Sequence, residues 1–516
     1  MREGQVKNRL ISLSFVFLLF LTPFATAEVK LPQVLSDHMV LQRNAPIHIW
    51  GWANPGEQVT VSLQSQKQST TTGDLGKWSV YLPPQPAGGP YTITIQATNT
   101  VTIADVLIGD VWFASGQSNM EMPLKGFNPD TLIKNGTEEI ANSNQPQIHL
   151  LRVNRRPSDH PLPDLKDPDE VWTTCTPATA ANFSAVAYFF GREIQQQEKV
   201  PVGLIDSTWG GTPAEAWISL DGISADASLM PVFEAWSQMA DGTADLPAML
   251  AKEKREDEAA KQAGAPPPKH PWHPDPASFG PANLYNAMVA PFIDYPIKGA
   301  IWYQGESNTD KQRAPLYFKV FPTLIADWRG KWGQGNFPFL FVQISSYDAG
   351  DNQGWGVVRD AQRRALGLTN TGMAVTIDVG DAKNIHPADK QTVGHRLALA
   401  ARDIAYGERV EDAGPLFREA DPNGGNIRVW FDHGAGLNAK GAPLIGFEIA
   451  GSDHKFYPAT AKVESDSVVV DASQVTAPKY VRYAWSSVTS ANLFNAAGLP
   501  ASTFSSENAT DAGATR

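Results

Sequence analysis

The stretch GDVWFASGQSNMEMPL, residues 109–124, changes character at its middle, where an apolar run through Ala114 gives way to small and polar residues around Ser118. An apolar run without polar alternation reads as a strand buried on both faces, as in a parallel sheet covered by helices. Ser118 then falls just past the carboxyl end of that strand. Taken alone, such a serine is more often structural, because its hydroxyl can cap the next helix. Whether it does chemistry depends on what the rest of the chain brings to the same edge.

Similar runs follow in VPVGLIDS (200–207), KGAIWYQ (298–304), FLFVQIS (339–345) and GMAVTID (372–378). Segments of helical period lie between them, such as AVAYFFGREIQQQ, YFKVFPTLIADW, VVRDAQRRALG and TVGHRLALAARDI. In the last of these Val393, Leu397, Ala401 and Ile404 recur at helical spacing and mark a core face. Alternating β and α of this kind predicts a parallel sheet with right-handed crossovers. The fold class is therefore α/β, three layers deep, over 105–405. Before it, IHIWGW, VTVSLQ, KWSVYLP and YTITIQA alternate apolar and polar residues, with turns at NPGE and AGGP. They predict a small N-terminal β-sandwich over 28–104. After it, IRVWFD, APLIGFEIA, SVVVDA and YVRYAW predict a β-rich region over 406–500, and the Ser, Ala and Thr-rich residues 501–516 a disordered tail.

An insertion at about 219–282 interrupts the α/β pattern. Its AKEKREDEAAKQAG is charged all round, with Asp257 four residues before Lys261, and APPPKHPWHPDP follows. We read an exposed helix and then a stiff loop that overhangs the sheet and shapes a cleft. No repeat of fixed period is present.

Residues 1–27 predict a signal peptide: Arg2, Lys7 and Arg9 precede an apolar run from Leu10 to Leu21, and Ala25-Thr26-Ala27 ends the segment. The run is about a dozen residues, short of the ~20 that span a bilayer, and no later segment reads as a membrane span. A secreted or periplasmic protein is expected. The single cysteine, Cys175, rules out an internal disulfide and reads as a small buried hydrophobe. A net charge of −12 excludes the basic footprint of a nucleic-acid binder.

The polar groups that follow the strands converge. SGQSNM follows the first, TWGGTPAEAW the second, QGESN the third and DVGDAKNIHP the last. In open parallel sheets ligands bind at this edge. Acyl transfer needs a nucleophile, a base and donors for an oxyanion. Ser118 supplies the first and His386, stiffened by Pro387, the second. Donors are available from the Ser118 amide, from the pair Gly210 and Gly211, and from a side-chain amide, Gln304 or Asn308. The α/β-hydrolase elbow G-x-S-x-G is absent. His270, His273 and Asp275 have the composition of a metal site, but their Pro-rich surroundings read as an exposed loop, so neither metal nor cofactor is expected.

SDHMVLQR (36–43), GDVWFASGQSNMEM, WGGTPAEAW, WYQGESN and NIHP, in this order, resemble the secreted sialate O-acetylesterase family within the SGNH hydrolases. The resemblance implies an SGNH-type α/β/α sheet flanked by β segments. It also implies Ser118 as nucleophile, His386 as base, Gly210 or Gly211 with Gln304 or Asn308 as oxyanion hole, and Glu306 behind them. One position departs from the pattern: the Asp three residues before the catalytic His is here Lys383. Asp381 is the first candidate to orient His386 and Asp378 the second, and a backbone carbonyl in their place would leave a Ser-His dyad.

The activity implied is removal of acetyl groups from sugar hydroxyls. The alternatives are acetyl transfer through the same acyl-enzyme, and a silent carbohydrate-binding protein. No arginine stands next to Ser118, Gly210, Gln304 or His386 to hold a sialic acid carboxylate, and Arg313, Arg329 and Arg359 lie farther along. Trp209, Trp217 and Trp302 adjoin the motifs as candidate stacking platforms, although Trp217 and Trp302 could equally pack in the core, and Trp272 and Trp355 lie in loops that could overhang them. The substrate expected is thus an acetylated neutral glycan of plant cell walls, xyloglucan or xylan, with 9-O-acetylated sialic acid as the alternative. The sequence carries no reading of oligomeric state.

Overall fold

The computed structural model describes residues 28–352 and 354–507. The expected signal peptide and residues 508–516 of the expected tail lie outside the described residues. At the centre is a sheet whose strands lie in the order Thr371–Val375, Phe339–Gln343, Gly299–Tyr303, Thr100–Gly116, Val202–Thr208, Gln145–Arg152 and Thr173–Cys175. All neighbours are parallel except the last, an antiparallel edge strand. Strand 145–152, absent from our reading of the sequence, lies second from that edge; its exposed first residues hide the buried run of Ile148 to Leu151.

The strands are apolar on both faces because helices cover both. Trp112 faces the helix Ala185–Glu198, its ring edge-on to Phe190 at 4.9 Å. Its neighbour Phe113 points the other way, 5.5 Å from Trp328 of the helix Tyr317–Trp332. Trp328 also meets Trp302 at 5.7 Å and Phe339 at 5.7 Å, so one indole locks three strands to that helix. Helix Lys390–Ile404 starts cleanly because Asp389 accepts the amide of Thr392.

Strand Thr100–Gly116 is 17 residues long and joins the central strands to the N-terminal ones in one eleven-stranded sheet. Its first half pairs with Gly88–Gln96, and Val40–Gln42 runs parallel to Leu107–Gly109. The boundary expected at 104/105 therefore falls inside a continuous strand. Strands Ile47–Trp52 and Lys77–Leu82 form a separate two-stranded sheet. Towards the C-terminus two antiparallel sheets follow, one from 416–423, 426–432, 467–471 and 460–464, the other from 447–450, 457–458, 480–483 and 504–505.

This C-terminal part is tied to the sheet by Arg359. The side chain is fully buried, pairs with no carboxylate among the described residues, and donates to the carbonyls of Ile344 and Ser345 on one side and Ala484, Ser486 and Ser487 on the other. Burial pushes its pKa down to about 9. It is a structural cation and unavailable to a substrate.

Residues 501–507, expected to be disordered, are ordered and mostly buried. Composition misled here because Phe504 is a real anchor: it stacks on Phe417 at 4.5 Å and pairs with Tyr483 across the sheet. The insertion holds the helices Leu220–Ser224, Pro231–Gly242 and Leu246–Gln262, the last of which buries only Leu246. The i,i+4 partner expected for Asp257 is replaced by His270, at 3.0 Å. His273 pairs with Glu253 at 2.9 Å, and Asp275 caps the helix Pro276–Phe279. Both histidines thus fasten the Pro-rich loop to the charged helix.

Phe504→Ala should destabilise the full chain by about 3–5 kcal/mol, the usual cost of truncating a buried aromatic. Thermal unfolding measures it, and an unchanged midpoint would mean that the last residues add nothing to the fold.

Candidate active site

Strand Thr100–Gly116 is the first of the sheet in chain order, and its two neighbours, 202–208 and 299–303, come later on opposite sides. The order of strands therefore reverses beside it, which is where open α/β sheets hold their ligands. The strand ends at Gly116, whose φ of +132° suits glycine, and a Cβ there would lie 2.2 Å from the Tyr303 carbonyl. The chain turns directly into the short helix Ser118–Glu121. Ser118 is left at the rim, half-buried.

His386 arrives from the loop before helix Lys390–Ile404, and its Nε2 lies 2.8 Å from Ser118 Oγ. Phe127 meets the imidazole edge-on at 5.2 Å. Asn384 Oδ1 accepts the His386 amide at 2.9 Å, which sets the loop. Burial first, then the Lys390 ammonium, hold the imidazole down to about 4. At neutral pH the ring is unprotonated and able to take a proton from Ser118.

No carboxylate reaches His386 Nδ1 among the described residues. Asp381 is exposed and its Oδ1 accepts the Lys383 amide at 2.8 Å. Asp378 forms a two-pronged pair with Arg396, at 2.6 and 2.7 Å. Neither candidate for the third residue touches the imidazole, because the loop places their side chains on its outer side and on the last helix. The contact present is a dyad.

Beneath the dyad lies a buried polar chain. Asn119 Nδ2 donates to Glu306 Oε1 at 2.5 Å and to the Ile385 carbonyl at 3.0 Å, while its Oδ1 accepts from Lys390 Nζ at 2.5 Å. Lys390 is fully buried, and burial pulls it down to about 7. Burial raises Glu306, against the pull of Asn119 and Lys390. Glu306 Oε2 has no hydrogen-bond partner among the described residues. Asn119 and Lys390 escaped the sequence reading, although Asn119 adjoins Ser118 and Lys390 stands four residues past His386.

The expected oxyanion donors are largely engaged elsewhere. The Gly210 amide donates to Glu121 Oε2 at 2.8 Å. Gln304 is buried and gives its amide to Asn308 Oδ1 at 2.6 Å and the Thr212 carbonyl at 3.2 Å. Asn308 is buried too, and donates to Glu215 at 2.8 Å. These two amides knit the strand-end loops together instead of facing the cleft. Gly211 lines the cleft, and so does Gln117, whose Oε1 accepts the Ser307 amide at 3.2 Å. Among the described residues the Gln117 side-chain amide, the Ser118 amide and the Gly211 amide donate to nothing. These are the donors at hand for a developing oxyanion, and Gln117 had been passed over beside the more conspicuous serine.

The cleft around Ser118 measures about 810 Å³. Met239, Trp272, Pro274 and Phe279 of the insertion form one wall, with Phe127, Tyr347, Arg155 and Arg313 around the rest. Trp272 is 65% exposed and lies against Gly211. The other tryptophans are misplaced for stacking on a substrate. Trp217 and Trp302 are fully buried and pack against each other at 6.1 Å, Trp355 is buried with its N–H on the Ser345 carbonyl, and Trp209 is half-buried against the core. Arg155, from a long loop with no local signal, pairs with Glu121. Arg313 pairs with Glu215 at 2.9 Å and Asp310 at 3.1 Å, and Arg329 binds the carbonyls of Phe337 and Asn370.

An α/β/α sheet with a serine and an unprotonated histidine in contact at its switch point is the arrangement of a carboxylic ester hydrolase. A family model described as a carbohydrate esterase, sialic acid-specific acetylesterase, matches residues 268–403. The sialate O-acetylesterase of Rattus norvegicus is 33% identical over 497 residues, covering 87% of this chain and 88% of the relative. That of Homo sapiens is 33% identical over 503 residues, covering 87% and 86%. A crystal structure of a carbohydrate acetylesterase from Xanthomonas citri superposes with a TM-score of 0.79 at 36% identity, covering 93% of this chain and 100% of that one. The chain belongs to the sialate O-acetylesterase family, and it is a carbohydrate acetylesterase of the SGNH-type α/β/α fold.

With the imidazole at about 4, kcat/KM on p-nitrophenyl acetate should fall on an acid limb near that pH, where protonation removes the base. Lys390→Met should move the limb upward, since the opposing ammonium is gone. A limb near 6.5 in the wild type would contradict the buried, carboxylate-free setting. Asp381→Asn should keep activity within threefold, and a loss beyond a hundredfold would show that the loop brings this carboxylate to His386 during turnover.

Proposed function

We propose that Ser118 Oγ attacks the carbonyl of a sugar acetyl ester while His386 Nε2 takes its proton. The oxyanion is met by the Ser118 and Gly211 amides and the Gln117 side chain. The C–O bond to the sugar breaks, and His386 returns the proton to the departing sugar oxygen. Water, deprotonated by the same imidazole, then attacks the acetyl-serine, the C–O bond to Ser118 Oγ breaks, acetate leaves, and His386 returns the proton to Oγ. Asn119, held by Glu306 and Lys390, fixes the serine helix to the histidine loop in place of an orienting aspartate. The mechanism calls on no metal, so chelators should leave the rate unchanged.

The substrate we propose is an acetylated neutral glycan of plant cell walls, xyloglucan or xylan, met outside the cytoplasm after export. One observation carries this choice: both guanidinium groups lining the cleft already have carboxylate partners, Arg155 with Glu121 and Arg313 with Glu215 and Asp310. A substrate carboxylate would have to displace one of them. The aromatic wall of Trp272 and Phe279 suits the apolar face of a neutral ring. A second reading, 9-O-acetylated sialic acid, is favoured by the names of the relatives and by Arg155, whose side chain is 47% exposed and can offer its outer edge to a carboxylate.

Folded Ser118→Ala and His386→Ala variants should each lose at least a hundredfold on p-nitrophenyl acetate, and activity within tenfold of wild type would refute the dyad. Acetate release measured side by side on acetylated xyloglucan or xylan oligosaccharides and on 9-O-acetylated sialic acid decides the substrate. A kcat/KM at least tenfold higher on the sialic acid overturns the neutral-glycan reading.

A further inference from the structure

In the sheet of Ile47–Trp52 and Lys77–Leu82, the face opposite Ile47 and Ile49 is only partly covered, Trp50 meeting Tyr295 edge-on at 6.4 Å. In its register His48 lies opposite Tyr81, Trp50 opposite Ser79 and Trp52 opposite Lys77. These alternate positions share a face. The Tyr81 ring stacks on His48 at 4.3 Å and 5°, and His48 on Trp50 at 4.8 Å and 23°. Tyr81 is 60% exposed, so the outer face of its ring is open. Pro161, Pro163 and Pro291 stand across from this face and close a groove of about 560 Å³.

The polar atoms of the groove are unusually idle. His48 Nδ1 binds the Asp294 carbonyl at 2.9 Å, but its Nε2 is buried, in a residue only 7% exposed, and has no partner among the described residues. Among the described residues, the indole N–H groups of Trp50 and Trp52, the Ser79 hydroxyl and the Lys77 ammonium also make no hydrogen bond. A buried ring nitrogen without a partner carries a desolvation penalty that a ligand hydroxyl would relieve. Lys77 and Asp294 are the charged residues of the lining and are opposite in sign, so nothing selects an anion or a cation. Open aromatic surface edged by unpaired donors fits a ring with an apolar face and a rim of hydroxyls.

Asp294 precedes strand Gly299–Tyr303, which places the groove at the amino end of the sheet. Ser118 is at the carboxyl end, the length of a strand away, about 17–23 Å for five to seven residues. The groove is therefore separate from the catalytic cleft.

We infer that this groove is a second glycan-binding site, which takes a neutral oligosaccharide stretch of a polymer and holds the enzyme on it. The site does not depend on which acetylated sugar the cleft prefers.

Native affinity gels with the full chain carrying Ser118→Ala, run in soluble deacetylated xyloglucan, xylan or galactomannan, test it. At least one polymer should retard the protein, and adding Tyr81→Ala should weaken retardation at least fivefold. Ser79→Glu, a change at an exposed strand position that introduces a charge without removing any packing, should do the same. In the otherwise wild-type chain, each change should leave p-nitrophenyl acetate turnover within twofold while lowering acetate release from acetylated polymer. Failure of all three polymers to retard the protein overturns the site. So does equal retardation of both variants, which would put binding in the cleft.

Discussion

Asn119 has a single side-chain amide, and it joins three remote parts of the chain: Glu306 after one strand, Ile385 in the histidine loop and Lys390 on the last helix. All three partners are polar groups in a region that excludes water, so each is held by the cost of leaving it unpaired. Because Asn119 follows Ser118 directly, the network fixes Ser118 and His386 to one another through the backbone on either side of them. A carboxylate on the outer nitrogen of the imidazole does part of this work in the serine-protease arrangement. Here the orientation comes from below the ring, and the histidine stays unprotonated because burial and the nearby Lys390 ammonium disfavour its charged form.

The long strand Thr100–Gly116 gives this network a fixed base. It runs through both parts of one eleven-stranded sheet, so the N-terminal β region and the α/β layers share one backbone ladder. Arg359 does the equivalent at the other end, with carbonyls from the central sheet and from the C-terminal part arranged around one buried cation. Replacing it would leave several buried acceptors without a donor, which is a stronger constraint than a surface ion pair provides.

The sheet, its direction and the meeting of Ser118 with His386 were legible because they follow from pattern. Doubly buried strands must be covered by helices, and loops after parallel strands must share an edge. What the sequence hid was partnership. Gln304 and Asn308 carry the amides an oxyanion needs, yet their letters do not reveal that Thr212 and Glu215 already hold them. Trp217 and Trp302 adjoin the site in sequence and face the core in space. Arg155 reaches the cleft through a long irregular loop, where no periodicity tells which side a residue takes. The last residues read as tail from composition alone, and a single phenylalanine reverses that.

The wall of the cleft that carries Trp272 hangs from a helix that contributes one buried leucine to the fold, and is fastened to it by two histidine–carboxylate pairs on its surface. Almost none of the hydrophobic core is invested there. Mutations in residues 246–275 can therefore reshape what the cleft accepts while the sheet and the dyad remain as they are. Substrate range can drift through this segment at little cost, since folding places little restraint on it.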